Sequence, residues 1–218
     1  FPITSCDILK GMKQTRLDQL ADGIFAIVMT LLVLEIRVPI IDGPLTNAAV
    51  LEALISVMPL FLSYLLSFML LFTYWRGHHY IASVLAKNID NTLTTINAFF
   101  FLFVGLVPFS TLLLGKYAES QAVIIIYGVH IIIIGLLLYW MRQYVISSPT
   151  IRNSEMDHTQ MRHGTVRILF PVITAVLAIC ISFVNTELSL FLFTLAILFN
   201  LSGRSTTMLE KVVTVASD

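Results

Sequence analysis

The side chains whose types and spacing come nearest to a site lie between Arg16 and Pro39. The stretch reads Arg-Leu-Asp-Gln-Leu-Ala-Asp-Gly-Ile-Phe-Ala-Ile-Val-Met-Thr-Leu-Leu-Val-Leu-Glu-Ile-Arg-Val-Pro. A helix turns by about 100° per residue, so with Ile27 at zero, Leu31 falls near +40°, Leu34 near −20° and Thr30 near −60°. Gly23 and Leu20 continue the same stripe. If several copies met around an axis, these side chains would form stacked rings. Rings of Ile and Leu close a pore by excluding water, and a ring of Thr hydroxyls could replace part of a cation's hydration shell. Glu35, near one end, could draw cations to the mouth. The same spacing also suits packing against neighbouring helices, with Thr30 bonded back to its own backbone. Periodicity alone leaves both readings open.

Asp22 lies about 140° from that stripe, on the same side as Asp18. A carboxylate just inside a membrane is costly and finds a partner. Arg16 is six residues back on another face, so an Arg16–Asp22 pair within one straight helix is not expected. Partners should come from other spans, where Trp75, His78 and Asn97 are the candidates. The competing reading makes Trp75 and His78 interfacial anchors near the headgroups.

No other constellation suggests catalysis or a metal. His78 and His79 are adjacent, so on a helix they point about 100° apart and do not share one metal easily. His158 and His163 stand in a polar loop, Ser147–Gly164, without a clear third ligand. His130 is isolated in an apolar run and reads as a satisfied helix–helix contact. The two cysteines, Cys6 and Cys180, have no metal-ligand spacing and are not expected to pair. Neither an enzyme nor a cofactor is expected, and a net charge of +0 points to no nucleic-acid partner.

The elements that must carry these residues are membrane spans. Hydrophobic residues make up 57% and charged residues 12% of the 218, with a mean hydropathy of +0.89. Soluble domains have about 45–50% apolar and about 25% charged residues, so lipid must cover much of this surface. Runs of about 20 apolar residues fall near 20–36, 49–75, 92–114, 122–141, 168–184 and 188–201. The last two are joined so tightly by Asn185–Thr186–Glu187 that they read as a hairpin. Pro39 stops the first helix, and Asp90 can cap the third. Pro59, Pro108 and Pro171 fall inside spans. No small-residue cleavage site follows the first apolar run, which reads as a retained helix.

With six spans both termini lie on one side, and that side collects eleven of the thirteen Lys and Arg, leaving only Arg37 and Lys116 opposite. The positive-inside rule then makes the termini cytoplasmic. Residues 1–204 form the six-helix domain. Residues 205–218 form a cytoplasmic tail, either a short helix or disordered.

The order Arg16…Asp22-Gly-Ile-Phe-Ala-Ile-Val-Met-Thr-Leu-Leu-Val-Leu-Glu35 resembles the transmembrane protein 175 family, potassium channels of endolysosomes with bacterial and archaeal relatives. Trp75-x-x-His78, Asp90, Asn97 and Val107-Pro108-Phe109 follow in register. The likeness is good over the first three spans and only general over the last three. The family motif is Arg, three residues, then Phe-Ser-Asp; here Leu20 and Ala21 replace Phe and Ser, which removes one polar group.

The resemblance implies an all-α integral membrane subunit with six transmembrane helices, no re-entrant filter loop, and first helices lining a central pore. A single six-helix unit resembles the prokaryotic form, a homotetramer in the plasma membrane. Ile27, Leu31 and Leu34 then match the hydrophobic constriction, and Thr30 the layer linked to potassium selectivity. Arg16, Asp22, Trp75, His78 and Asn97 match the signature and its interhelical network. The implied function is a potassium-selective channel without a carbonyl filter, with K⁺ and other monovalent cations as its partners. The alternative is a proton-permeable channel or a secondary cation transporter, for which His130 is the only mid-membrane ionisable candidate.

Overall fold

A computed structural model of the chain describes residues 14–41, 43–153 and 165–201. The described residues are helical apart from short links. The helices are α1 (Gln14–Leu34), α2 (Asn47–Ser56), α3 (Met58–His79), α4 (Asn91–Gly105), α5 (Val107–Lys116), α6 (Gln121–Ser147), α7 (Thr165–Ser182) and α8 (Thr186–Leu201), and a π-helical segment, Tyr80–Leu85, continues α3. Cys6, His158, His163 and the tail 205–218 lie outside the described residues.

Proline and capping chemistry set the breaks. The expected continuous span at 49–75 is in fact divided at Val57, ahead of Pro59 in the first turn of α3. Proline has no N–H to donate and its ring crowds the preceding turn, so it favours a helix start over a helix interior. Thr46 caps α2, its hydroxyl accepting from Ala49 N at 3.2 Å. Pro108 divides α4 from α5 at Leu106 in the same way. Asp90 caps α4 as expected, Oδ1 accepting from Leu93 N at 2.8 Å. Pro171 does sit inside a helix, α7.

Five stretches are long and apolar enough to cross a bilayer: Gln14–Leu34, Met58–Leu85, Asn91–Lys116, Gln121–Ser147 and Thr165–Ser182. The sixth expected span, α8, has 16 residues. At 1.5 Å per residue it is about 24 Å long, less than the roughly 30 Å hydrocarbon core. It folds back on α7 as the expected hairpin. Asn185 Oδ1 accepts from Leu188 N at 2.9 Å, and Ser189 Oγ donates to Ala178 O at 2.7 Å.

Polar side chains fasten helix to helix inside the bundle, where lipid offers no competing partner. Ser67 on α3 lies 2.9 Å from the Tyr127 hydroxyl on α6 and 2.7 Å from Thr111 Oγ1 on α5. The Tyr74 hydroxyl donates to Ile131 O at 3.0 Å. His130 is held through both ring nitrogens, by Ser110 Oγ and Phe103 O, each at 2.8 Å; it is the satisfied contact that its isolation suggested. Gly115 lets α5 approach α3 closely, since a Cβ there would lie 2.5 Å from Ser63 Oγ and 2.9 Å from Leu60 Cα.

At the far end of α3 the π turn widens the ladder, so that Ala86 N bonds to Ile81 O at 3.0 Å. The Gln14 side-chain amide, at the start of α1, donates to Ala82 O and Ala86 O. Lys87 N donates to Ile151 O at 2.7 Å and Asn153 N to Leu85 O at 2.8 Å. One end of the bundle is thereby cross-tied among α1, the π segment and the link after α6.

Candidate functional site

α1 has two faces with opposite fates. Leu17, Ala21, Phe25, Val28 and Leu32 recur every three or four residues and are buried against the bundle. The opposite stripe is open: Ile27 is 60% exposed, Leu31 43% and Leu34 70%. Leu20, Gly23 and Thr30 are exposed beside them. Arg16, about 20° from Ile27 in projection, extends the open stripe at one end, and exposed Glu35 stands at the other. The Thr30 hydroxyl donates to its own helix, at Ala26 O (2.9 Å) and Ile27 O (2.8 Å).

The buried face is flanked by exposed Asp22 and half-buried Asp18, and specific contacts fix it. Asp22 Oδ1 accepts from the Trp75 indole Nε1–H at 2.8 Å. Asp18 Oδ2 accepts from Ser83 Oγ at 3.3 Å. Three residues beyond Asp22, Phe25 enters an aromatic cluster, its ring 6.4 Å from His78 and 6.0 Å from Phe100. His78 lies nearly parallel to Phe100, centroids 5.4 Å apart at 11°. His78 Nε2 is 2.7 Å from Asn97 Oδ1, both residues being 1% exposed. The Asn97 amide nitrogen donates to Leu93 O at 2.8 Å. Its oxygen is thus left as an acceptor, and His78 Nε2 must carry the hydrogen in this bond.

The candidates therefore divide. Asp22, Trp75, His78 and Asn97 converge between α1, α3 and α4. Ile27, Thr30, Leu31, Leu34, Arg16 and Glu35 do not join them and stay on the open side. Of the partners considered for Asp22, Trp75 takes it, while His78 and Asn97 take each other. Ala21, at the family's Ser position, is 2% exposed; both hydrogen bonds form without a hydroxyl there. Sequence reading missed Phe25, Asp18–Ser83 and Gln14. Phe25 projects about 160° from Ile27, on the Asp22 side, which was the available signal. Among the described residues no cluster of His, Cys, Asp or Glu could hold a metal.

These features define a multi-pass helical membrane protein whose first helix is anchored along one face and bare along the other. Residues 16–108 match the family described as endosomal/lysosomal potassium channel TMEM175. A potassium channel from Chamaesiphon minutus is 28% identical over 197 residues, 87% of this chain and 95% of the relative. One from Streptomyces collinus is 26% identical over 179 residues, 80% of this chain and 85% of the relative. The crystal structure of a lysosomal potassium-selective channel TMEM175 homolog from Chamaesiphon minutus superposes with a TM-score of 0.73 at 25% identity, covering 86% of this chain and 95% of that one. Over residues 16–108 the chain is thus similar to the TMEM175 family of ion channels, and the relatives it resembles are potassium channels.

Proposed function

We propose that the chain is the subunit of a homotetrameric, potassium-preferring channel in which four α1 helices line the pore. Ile27, Leu31 and Leu34 form the hydrophobic constriction, Thr30 supplies the hydroxyl layer, and Glu35 stands at the outer mouth. Six crossings, with α8 as the last, put both termini in the cytoplasm of a prokaryotic cell, and no carbonyl filter is needed.

The observation that carries this reading is the contrast between the faces of α1. Trp75 and the His78–Asn97–Phe25 cluster hold one face, so the opposite stripe points away from the subunit's own helices. That stripe also holds exposed Thr30 and ends in exposed Arg16 and Glu35, a sequence of groups that suits a water-filled pathway. Thr30 gives its hydrogen to its own backbone, so its oxygen lone pairs stay outward and suit a cation. The potassium channels among the relatives support K⁺ as the permeant ion. The transporter reading gains no support from His130, whose two ring nitrogens are engaged by Ser110 Oγ and Phe103 O.

The test is flux from liposomes holding the purified protein. K⁺ should leave faster than Na⁺, and Ile27→Asn should raise flux by wetting the constriction. Unchanged flux in Ile27→Asn, or strict one-for-one exchange without net current, would overturn the proposal.

A further inference from the structure

The π segment ends in carbonyls that its own backbone does not serve. In the α register Ala82 O would accept from Ala86 N, and in the π register from Lys87 N. Ala86 N instead donates to Ile81 O at 3.0 Å, and Lys87 N leaves the helix for Ile151 O at 2.7 Å. Ala86 is extended, so the chain turns away there and the last carbonyls lie open, as at any helix end. The link after α6 holds that turn. Asn153 N donates to Leu85 O at 2.8 Å, and the Asn88 side-chain amide to Thr150 O at 2.9 Å. Gln14 takes two of the open carbonyls, its amide donating to Ala82 O and, at 3.0 Å, to Ala86 O. A side chain of α1 thus caps the extension of α3, and Ala82 O is open to it because Lys87 N stays with Ile151 O.

We propose that Gln14 is a latch through which the link after α6 sets the tilt of α1; this rests on the reading of α1 as the pore wall. Gln14 stands eight positions before Asp22, about 12 Å along the helix, and Leu31 nine positions after it, about 14 Å. A rigid helix pivoting at the Asp22–Trp75 tie carries Leu31 about as far as Gln14 moves, in the opposite sense. Leu17, Ala21, Val28 and Leu32 are buried along α1, but lipid tails can replace apolar contacts, so packing alone holds the tilt loosely. The Asp18–Ser83 contact between pivot and latch is long, at 3.3 Å. The two Gln14 bonds are directional and lie at the far end of the lever, where they resist tilt best. Undocking of residues 150–153 frees Lys87 N to return to Ala82 O in competition with Gln14. A change at the link then reaches the constriction without touching it.

The full chain is reconstituted in liposomes, and K⁺ and Na⁺ efflux are measured with Ile27→Asn alongside. Gln14→Leu removes both donors from a half-buried side chain. It should raise K⁺ flux by roughly tenfold, the effect of two lost hydrogen bonds on the latched fraction, and lower the preference for K⁺ over Na⁺. Gln14→Lys, whose ammonium donates to the same two carbonyls, should keep wild-type flux. A residue that merely fills space would not be rescued in this way. Asn88→Ala loosens the link and should raise flux by about threefold alone, the loss of one exposed hydrogen bond, yet add nothing to Gln14→Leu. Gln14→Glu, which keeps the shape and has no hydrogen to donate when ionised, takes the place of Gln14→Leu if size exclusion shows that variant misfolded. Wild-type flux and preference in the donor-less variant, or equal leak in Gln14→Lys, would overturn the latch. Additive effects of Asn88→Ala and Gln14→Leu would remove the link's control over it. Unchanged flux in Ile27→Asn strikes the pore reading itself, whereas a rise there with wild-type flux in Gln14→Leu strikes the latch alone.

Discussion

The indole Nε1–H of Trp75 donates to Asp22 Oδ1 at 2.8 Å, across 53 positions of sequence, and ties α1 to α3. The bond fixes the rotation of α1 about its own axis. With Asp22 held toward α3, the stripe about 140° away must face outward. Trp75→Phe keeps most of the aromatic surface and removes the donor. It should lower stability in detergent by about 1.5 kcal/mol, a midpoint shift of roughly 3–6 °C for a chain of this size. An unchanged unfolding midpoint would show that the bond does not hold α1.

His78 and Asn97 form the second tie, 1% exposed on both sides. Asn97→Leu leaves a buried N–H without its acceptor and should cost about 1–3 kcal/mol. His78→Phe combined with Asn97→Leu should cost less than the sum of the two, because the polar atom and its missing partner leave together. A double-mutant cycle on unfolding midpoints measures the coupling, expected at about 0.5–3 kcal/mol. Additive losses would mean that the 2.7 Å contact contributes no pairwise energy.

Thr30 keeps its own hydrogen bonds within α1, so removing its hydroxyl disturbs no other helix. Thr30→Ala should therefore fold normally and lower the preference for K⁺ over Na⁺ more than it lowers total flux. Thr30→Ser, which keeps the oxygen, should retain most of the preference. Paired liposome flux assays with the two cations decide it. A fall in total flux at constant preference would remove Thr30 from the selectivity layer.

Gly115→Ala tests the approach of α5 to α3. The added methyl would meet Leu60 backbone at 2.9 Å as well as Ser63 Oγ, so at least one helix must shift. A loss of about 1–3 kcal/mol is expected. Ser63→Ala should rescue only part of it, since the backbone contact remains. Full rescue, read from the unfolding midpoint, would show that the side chain alone sets the spacing.

Much of α1 was legible from its residues. The 3.6-residue period separates Ile27, Leu31 and Leu34 from Asp22 without any knowledge of neighbours, and the structure leaves the first set exposed and ties down the second. The Asp90 cap and the α7–α8 hairpin were equally local. The long second span was not read correctly. Its apolar run is continuous, but Pro59 fits the first turn of a helix better than an interior, and the chain breaks at Val57. Hydropathy has no term for that preference.

What the sequence determined by itself is what depends on composition and on neighbours within a turn or two: a chain solvated by lipid, helical stripes, caps and stops. Tertiary structure decided the pairings. Asp22 had three polar candidates, and the crossing of α1 with α3 gave it Trp75 while the packing of α3 against α4 gave His78 to Asn97. Gln14 was merely a polar residue ahead of the first apolar run until α1 met the π segment and set its amide against Ala82 O and Ala86 O. The physical reason is range. Backbone hydrogen bonds and helical period act within a few residues, whereas a side-chain pair or a cap shared between helices exists only once helix axes have been set by packing.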